Sequence, residues 1–190
     1  MIRAALVQDE RELRQILELQ AGNLARNLAK DLVAAEGFVT VEHSLDALKR
    51  MHALAPSVIA KDGEALAGYA LVMPVAARSL IPVLEPMFRR LEALGLFKER
   101  FYVMGQICVG RRWRGQGVFD LLYAAHRQHL RAAYDCVVTE VATRNARSMR
   151  AHARVGFAVI DRYADANDDW AVLRWDFRDP APLRTPPAPE

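Results

Sequence analysis

The order of apolar patterns along the chain predicts an α/β or α+β fold, a mixed sheet with helices packed on it. Three observations lead there. Two apolar runs, Ser57 to Ala60 and Ala65 to Met73, flank Lys61-Asp62-Gly63-Glu64, and Asp-Gly between such runs is a strong hairpin signal. The stretch from Phe101 to Val155 reads strand–helix–strand–helix. A last pair of runs, Phe157 to Tyr163 and Trp170 to Phe177, reads as a closing hairpin around Asp165-Ala166-Asn167-Asp168.

The other elements follow in order. Ile2 to Val7 is a short apolar run, read as an edge strand. Asp9 caps the next helix, where Leu13, Ile16, Leu17 and Gln20 keep helical spacing. Leu24, Leu28 and Leu32 prolong that stripe until Gly37, and Phe38 to Val41 reads as extended. Ser44 opens a second helix through Leu45, Leu48 and Met51, which Pro56 stops. Ser79 to Lys98 has helical character, with Leu80, Val83, Leu84, Met87, Phe88, Leu91 and Leu94 along one side. Phe101 to Val109 is the clearest strand. A helix from about Val118 to Ala133, a strand from Asp135 to Ala142 and a helix from Asn145 to Val155 come next, and Gly156 suits the C′ position of the last. The tail from Pro180 is mostly Pro, Ala and Thr and is expected to be disordered.

Composition narrows the functional classes. A chain of 190 residues, 52% hydrophobic and 26% charged, fits one soluble domain with a core that needs no staples. No apolar run approaches the roughly 18 residues of a membrane span, and Asp9 and Glu10 come too early for a signal peptide. A cytoplasmic location is expected. Cys108 and Cys136 sit in apolar runs and read as buried thiols of a reducing compartment. No spacing suits zinc, so no metal site is expected. The net charge is +3, and Arg greatly outnumbers Lys. Guanidinium forks hold phosphates bidentately, so a phosphate-bearing ligand is the class to look for. Outside one turn the arginines are dispersed, which argues against nucleic acid.

That turn is Val109-Gly110-Arg111-Arg112-Trp113-Arg114-Gly115-Gln116-Gly117-Val118, between the strongest strand and a helix. Gly115 and Gly117 permit a tight turn and a close backbone approach. The first N–H groups of the helix then point outward at the positive end of its dipole, which makes an anion site. A Walker A loop would need Gly-Lys-Ser/Thr, and a dinucleotide fingerprint a third glycine near Leu121; neither is present.

Arg112-Trp113-Arg114-Gly115-Gln116-Gly117 resembles the Q/R-x-x-G-x-G/A motif of the GNAT N-acetyltransferase superfamily. Asn145 to Phe157 is similar to its second signature, an Asn-led helix ending in Gly-Phe, about thirty residues on, and the likeness spans roughly residues 1–177. It implies a single domain over 1–178 with residues 179–190 as a disordered tail. It also implies a mixed, mostly antiparallel sheet flanked by helices, with splayed parallel strands at about 101–109 and 136–142. Acetyl-CoA, or another acyl-CoA, would be the donor. Ile107, Cys108 and Val109 would bond the pantetheine and polarise the thioester carbonyl. Arg112, Trp113, Arg114, Gly115, Gln116, Gly117 and Val118 would hold the pyrophosphate, with Asn145 and Ser148 adding contacts.

The chemistry would be direct attack of a primary amine on the thioester, which profits from a base for the amine and an acid for the leaving thiolate. Where the family often has a Tyr acid, this chain has His152; the bland alternative is a partly exposed helix residue, and for Asn145 a simple cap. Strict alternation would put Tyr102, Met104, Gln106 and Cys108 on one strand face, where Gln106 could hold a relaying water. Glu140, inside a strand, is either a functional carboxylate or the partner of an Arg such as Arg144. Tyr123 and His126 read as packing or surface residues. The acceptor, a small-molecule or peptide amine, would lie near Glu36-Gly37-Phe38, Glu42-His43 and Asn167-Asp168-Asp169, whose acidity hints at a cationic amine. The extra helix at 79–98 would wall that pocket or make a homodimer contact. The alternative function is a non-catalytic acyl-CoA-binding or regulatory module on the same scaffold.

Overall fold

The computed structural model describes residues 1–29 and 38–178. Seven strands form one sheet: β1 (Arg3–Leu6), β2 (Val58–Asp62), β3 (Ala65–Pro74), β4 (Phe101–Val109), β5 (Cys136–Ala142), β6 (Ala158–Ala164) and β7 (Asp169–Asp176). Their order is β1-β2-β3-β4-β5-β7-β6. Every neighbouring pair is antiparallel except β4 and β5, which run parallel. The mixed, mostly antiparallel sheet is thus the one the sequence implied, with β1 on an edge.

Among the described residues the α-helices are α1 (Glu10–Ala21), α2 (Leu45–Leu54), α3 (Glu85–Ala93), α4 (Val118–Leu130) and α5 (Ala146–Val155). Side-chain caps start three of them: Asp9 accepts from the Glu12 N–H at 3.0 Å, Ser44 from Ala47 at 3.1 Å and Asn145 from Ser148 at 3.2 Å. Each such cap is worth about 1 kcal/mol. α1, α2 and α3 bury Ile16, Leu48 and Phe88 against Tyr69, Leu71 and Val103 on one face of the sheet. α4 and α5 bury Leu122, Tyr123 and Val155 against Val72, Tyr102 and Trp175 on the other.

Four expectations are corrected. α1 ends at Gly22, and Leu24 instead forms a parallel bridge with Val39, the one bridged residue of the 38–41 stretch. Leu32, Glu36 and Gly37 lie outside the described residues. The 79–98 helix is broken into short 3₁₀ turns around α3, because Pro82 and Pro86 cannot sit in a helix interior and Gly95 turns left-handed at φ 78°. The hairpin strands run on to Asp62 and restart at Ala65, so its turn is shorter than read. The fourth correction bears on the site. Ala70 pairs with Ile107 but Val72 with Met104, so Gly105 and Gln106 together face Leu71. This bulge resets the alternation of β4. Tyr102 and Met104 join the α4 face, whereas Cys108 belongs to the opposite core and Gln106 bonds to Gln20 of α1 and to Tyr69.

Candidate active site

A groove of about 890 Å³ opens between the end of β4, the 113–118 turn and the start of α5. Its wall includes Ile107, Cys108, Val109, Gly115, Gly117 and Val118. Gly115 and Gly117 adopt φ 79° and 76°, a left-handed region that other residues rarely enter. A Cβ on Gly115 would meet nothing within 4 Å, so the turn leaves open space where a ligand's phosphates would sit. Behind Gly117 the first α4 amides have no helical acceptor.

The arginines of the turn take other places than their spacing suggested. Arg114 folds back, donating to the Val109 carbonyl at 3.1 Å and to Asn23 at 2.7 Å, and so braces the loop while still lining the groove. Arg112 lies 4.4 Å over the Trp113 ring, Gln116 donates to the Arg112 carbonyl at 2.8 Å, and neither side chain lines the groove. Trp113, which does line it, is held by Asp62 at 3.2 Å. The cationic rim comes from Arg147, Arg150 and Arg154 on α5, which sequence reading passed over. Their i, i+3, i+7 spacing marks one helix face and was the available signal. Arg154 also pairs with Asp120 at 2.9 Å.

β4 and β5 are laddered only where Phe101–Val103 meet Cys136–Val138. Thr139 still reaches the Met104 carbonyl at 2.9 Å, and beyond it the strands part. A second, smaller groove of about 80 Å³ fills the opening, lined by Gln106, Glu140, Ser148, His152, Leu84 and Trp170 among others. Ser148, Asn145, Ile107, Phe38 and Val39 line both grooves, so the two meet there. Asn145 caps α5 and also donates to the Phe38 carbonyl at 3.3 Å.

Among the described residues, Glu140 has no arginine partner. Arg144 pairs with Asp168 at 2.6 Å and sits over the Phe38 ring. The Glu140 carboxyl instead accepts from the Tyr163 hydroxyl, and burial pushes it up to about 7. Gln106 is engaged at both ends: it donates to the Val41 carbonyl at 2.7 Å and accepts from Gln20 at 2.9 Å and from Tyr69. Gln20 grips His43 twice, at its ring and its backbone N–H. The four side chains form a buried knot that fastens the 41–43 segment beside the small groove. Cys108 is held near 12 by burial, which keeps it a thiol.

His152 departs most from its expected exposure. It is almost wholly buried, 1% exposed. Its Nδ1 lies 2.8 Å from the Ser148 carbonyl, which can only accept, so Nδ1 carries the proton. Nε2 then accepts from the Tyr123 hydroxyl at 2.8 Å. Burial lowers its pKa to about 4. A neutral imidazole whose one proton is held by a carbonyl is not poised to donate near neutral pH. His126 repeats the pattern, between the Tyr102 hydroxyl and the Ala70 carbonyl. Part of the acidity near the expected acceptor site is neutralised, since Glu42 pairs with Arg26 and Asp168 with Arg144.

Comparison with known proteins bears on the fold and the family. The ribosomal-protein-S18-alanine N-acetyltransferase of Escherichia coli is similar in fold, with a TM-score of 0.64 at 11% identity over 93% of this chain and 94% of that one. The yncA protein of Salmonella typhimurium, solved with its cofactor acetyl-CoA, gives 0.62 at 15% over 96% and 97%. A chain of the NatC complex bound to Gag peptide and CoA gives 0.63 at 15% over 92% and 98%. At these identities the likeness is one of fold. No curated protein matches the sequence. The model of the acetyltransferase (GNAT) family matches residues 25–157. The chain belongs to the GNAT acetyltransferase family.

Proposed function

We propose that this protein transfers an acetyl group from acetyl-CoA to a primary amine, by direct attack with both substrates bound. The observation that carries the reading is the splay of β4 from β5, which joins a glycine-walled, arginine-rimmed groove to a small groove holding one protonatable carboxyl. The residues present fit acetyl-CoA: open space at Gly115, free amides at the start of α4, and arginines at the rim suit its phosphates. The β4 backbone at Ile107–Val109, unladdered on the β5 side, suits an amide-bearing arm. Acetyl-CoA, when bound, supplies the acyl group activated as a thioester.

Within the chain, Glu140 takes the proton from the acceptor ammonium. A carboxyl near 7 is half ionised at neutral pH and matched to that task. Gln106 positions the 41–43 segment that borders the acceptor groove. His152 is assigned no proton step. The acceptor is an amine on a small molecule or a peptide, entering past Phe38, Leu84 and Trp170. The alternative, a non-catalytic acyl-CoA-binding module, draws on one observation: His152 stands neutral and doubly bonded where the family often has a phenolic acid. Thiol release from acetyl-CoA across a panel of amines and short peptides separates the two. CoA release that depends on an amine is expected; CoA binding with no release from any acceptor would favour the module.

A further inference from the structure

Glu140 and Tyr163 lie two strands apart, and the sheet order explains how they meet. β7 runs between β5 and β6, with Glu140 opposite Val172 and Tyr163 opposite Trp170. Opposite residues share a face, and so do residues two apart on one strand. Both side chains therefore project from the same side of the sheet. The Tyr163 ring reaches across the β7 row, and its hydroxyl donates to Glu140 Oε2.

We propose that Tyr163 is a positioning residue that fixes the Glu140 carboxyl, holding one oxygen so that the other is presented to the acceptor amine. The inference rests on the reading of Glu140 as the base. The neighbours leave the phenol as the main support for the ionised form. Arg144 is turned to Asp168. Asp165, just past β6, disfavours a second negative charge. His152, facing from α5, is neutral, and Gln106, facing from β4, carries no charge. Arg90 of α3 pairs with Asp161 of β6 at 2.7 Å, beside Tyr163 rather than at Glu140. That pair gives the inserted 75–98 segment a purpose: it braces the strand that carries the phenol. Without the phenol, burial and Asp165 would act unopposed, and the carboxyl would stay protonated at neutral pH.

The first readout needs neither donor nor acceptor. The full chain is labelled with ¹³C at glutamate carboxyls, the Glu140 signal is assigned by its loss in Glu140→Gln, and it is titrated through neutrality. Wild type is expected to have its midpoint near 7. Tyr163→Phe should move it upward by about one pH unit, the size of a lost hydrogen bond to a charged group, while stabilisation by CoA is unchanged. Placing 3-fluorotyrosine at 163, a more acidic and stronger donor, should move it down, and keeps the test open if Phe unsettles β6. An unmoved midpoint in either folded protein overturns the positioning role. Wild-type turnover in Glu140→Gln overturns the base reading and the catalytic purpose of the pair together. Collapsed turnover there, beside an unmoved midpoint in Tyr163→Phe, overturns the positioning role alone.

Discussion

The two grooves that meet at Ser148 are built in opposite ways. The large one takes its shape from backbone: a left-handed glycine turn, the open start of α4 and an unladdered stretch of β4, with exposed arginines around it. The small one is made of side chains drawn from many elements, several of them held by hydrogen bonds to side chains outside it. A backbone site holds charge without titrating, so its ligand contacts persist over a wide pH range. A side-chain site in low dielectric shifts the protonation of whatever it contains. Binding and chemistry are thereby separated in space, and they should fail separately.

The strongest way to break that separation is Glu140→Gln. If Glu140 is the base, turnover should fall by about 10²–10⁴-fold, while the melting shift given by CoA is retained. The same variant should gain stability at alkaline pH. Folding raises the Glu140 pKa from the usual 4.5 to about 7, so the native state favours the protonated carboxyl. That contribution is fully present below 4.5 and is lost as pH rises through 7; its full size is on the order of 3 kcal/mol as an upper bound. Glu140→Gln and wild type should thus unfold alike in acid, with the variant the more stable above neutrality. Loss of CoA binding in Glu140→Gln would show that the grooves are not independent, and equal stability at all pH values would show that folding does not raise the Glu140 carboxyl.

The mirror experiment is Gly117→Val. Its φ of 76° is strained for any β-branched residue, so the phosphate turn should open. CoA at about 100 times its dissociation constant stabilises wild type by roughly 2.7 kcal/mol, and that shift should vanish. The Glu140 carboxyl should still titrate near 7, since nothing around it has changed. A retained melting shift in folded Gly117→Val would place the cofactor elsewhere.

The same contrast explains what could be read without coordinates. Gly115, Gly117, the Asn145 cap and the strand–turn–helix order are local features, each set by a few consecutive residues, and they pointed to the turn and the sheet. The bulge at Gly105 was also marked, since glycine inside a strand signals one, yet strict alternation was assumed past it and Gln106 was put on the wrong face. The Tyr163–Glu140 pair spans two strand crossings, and the Tyr123–His152 pair joins two helices 29 residues apart in sequence. No spacing rule reaches that far. Whether a histidine is exposed or buried depends on what packs against it, and so His152 was read as open.

His152 gives the smallest expected effect and sharpens the comparison most, because it lines the small groove yet is bonded as part of the core. Removing the imidazole in His152→Phe leaves the buried Tyr123 hydroxyl without its acceptor. An unsatisfied buried polar group costs about 1–3 kcal/mol. The double variant His152→Phe with Tyr123→Phe removes both partners and should recover most of that loss. Turnover per folded molecule should stay within a few-fold of wild type in both. The pH dependence has a definite sign. Folding lowers the His152 pKa to about 4 from the usual 6.5, so its contribution is present above 6.5 and is lost as pH falls toward 4. His152→Phe should therefore lose less stability than wild type over that acid interval. A rate loss of about 10²-fold or more in a folded His152→Phe protein, with CoA binding intact, would return the imidazole to the chemistry and count against the separation of the two grooves.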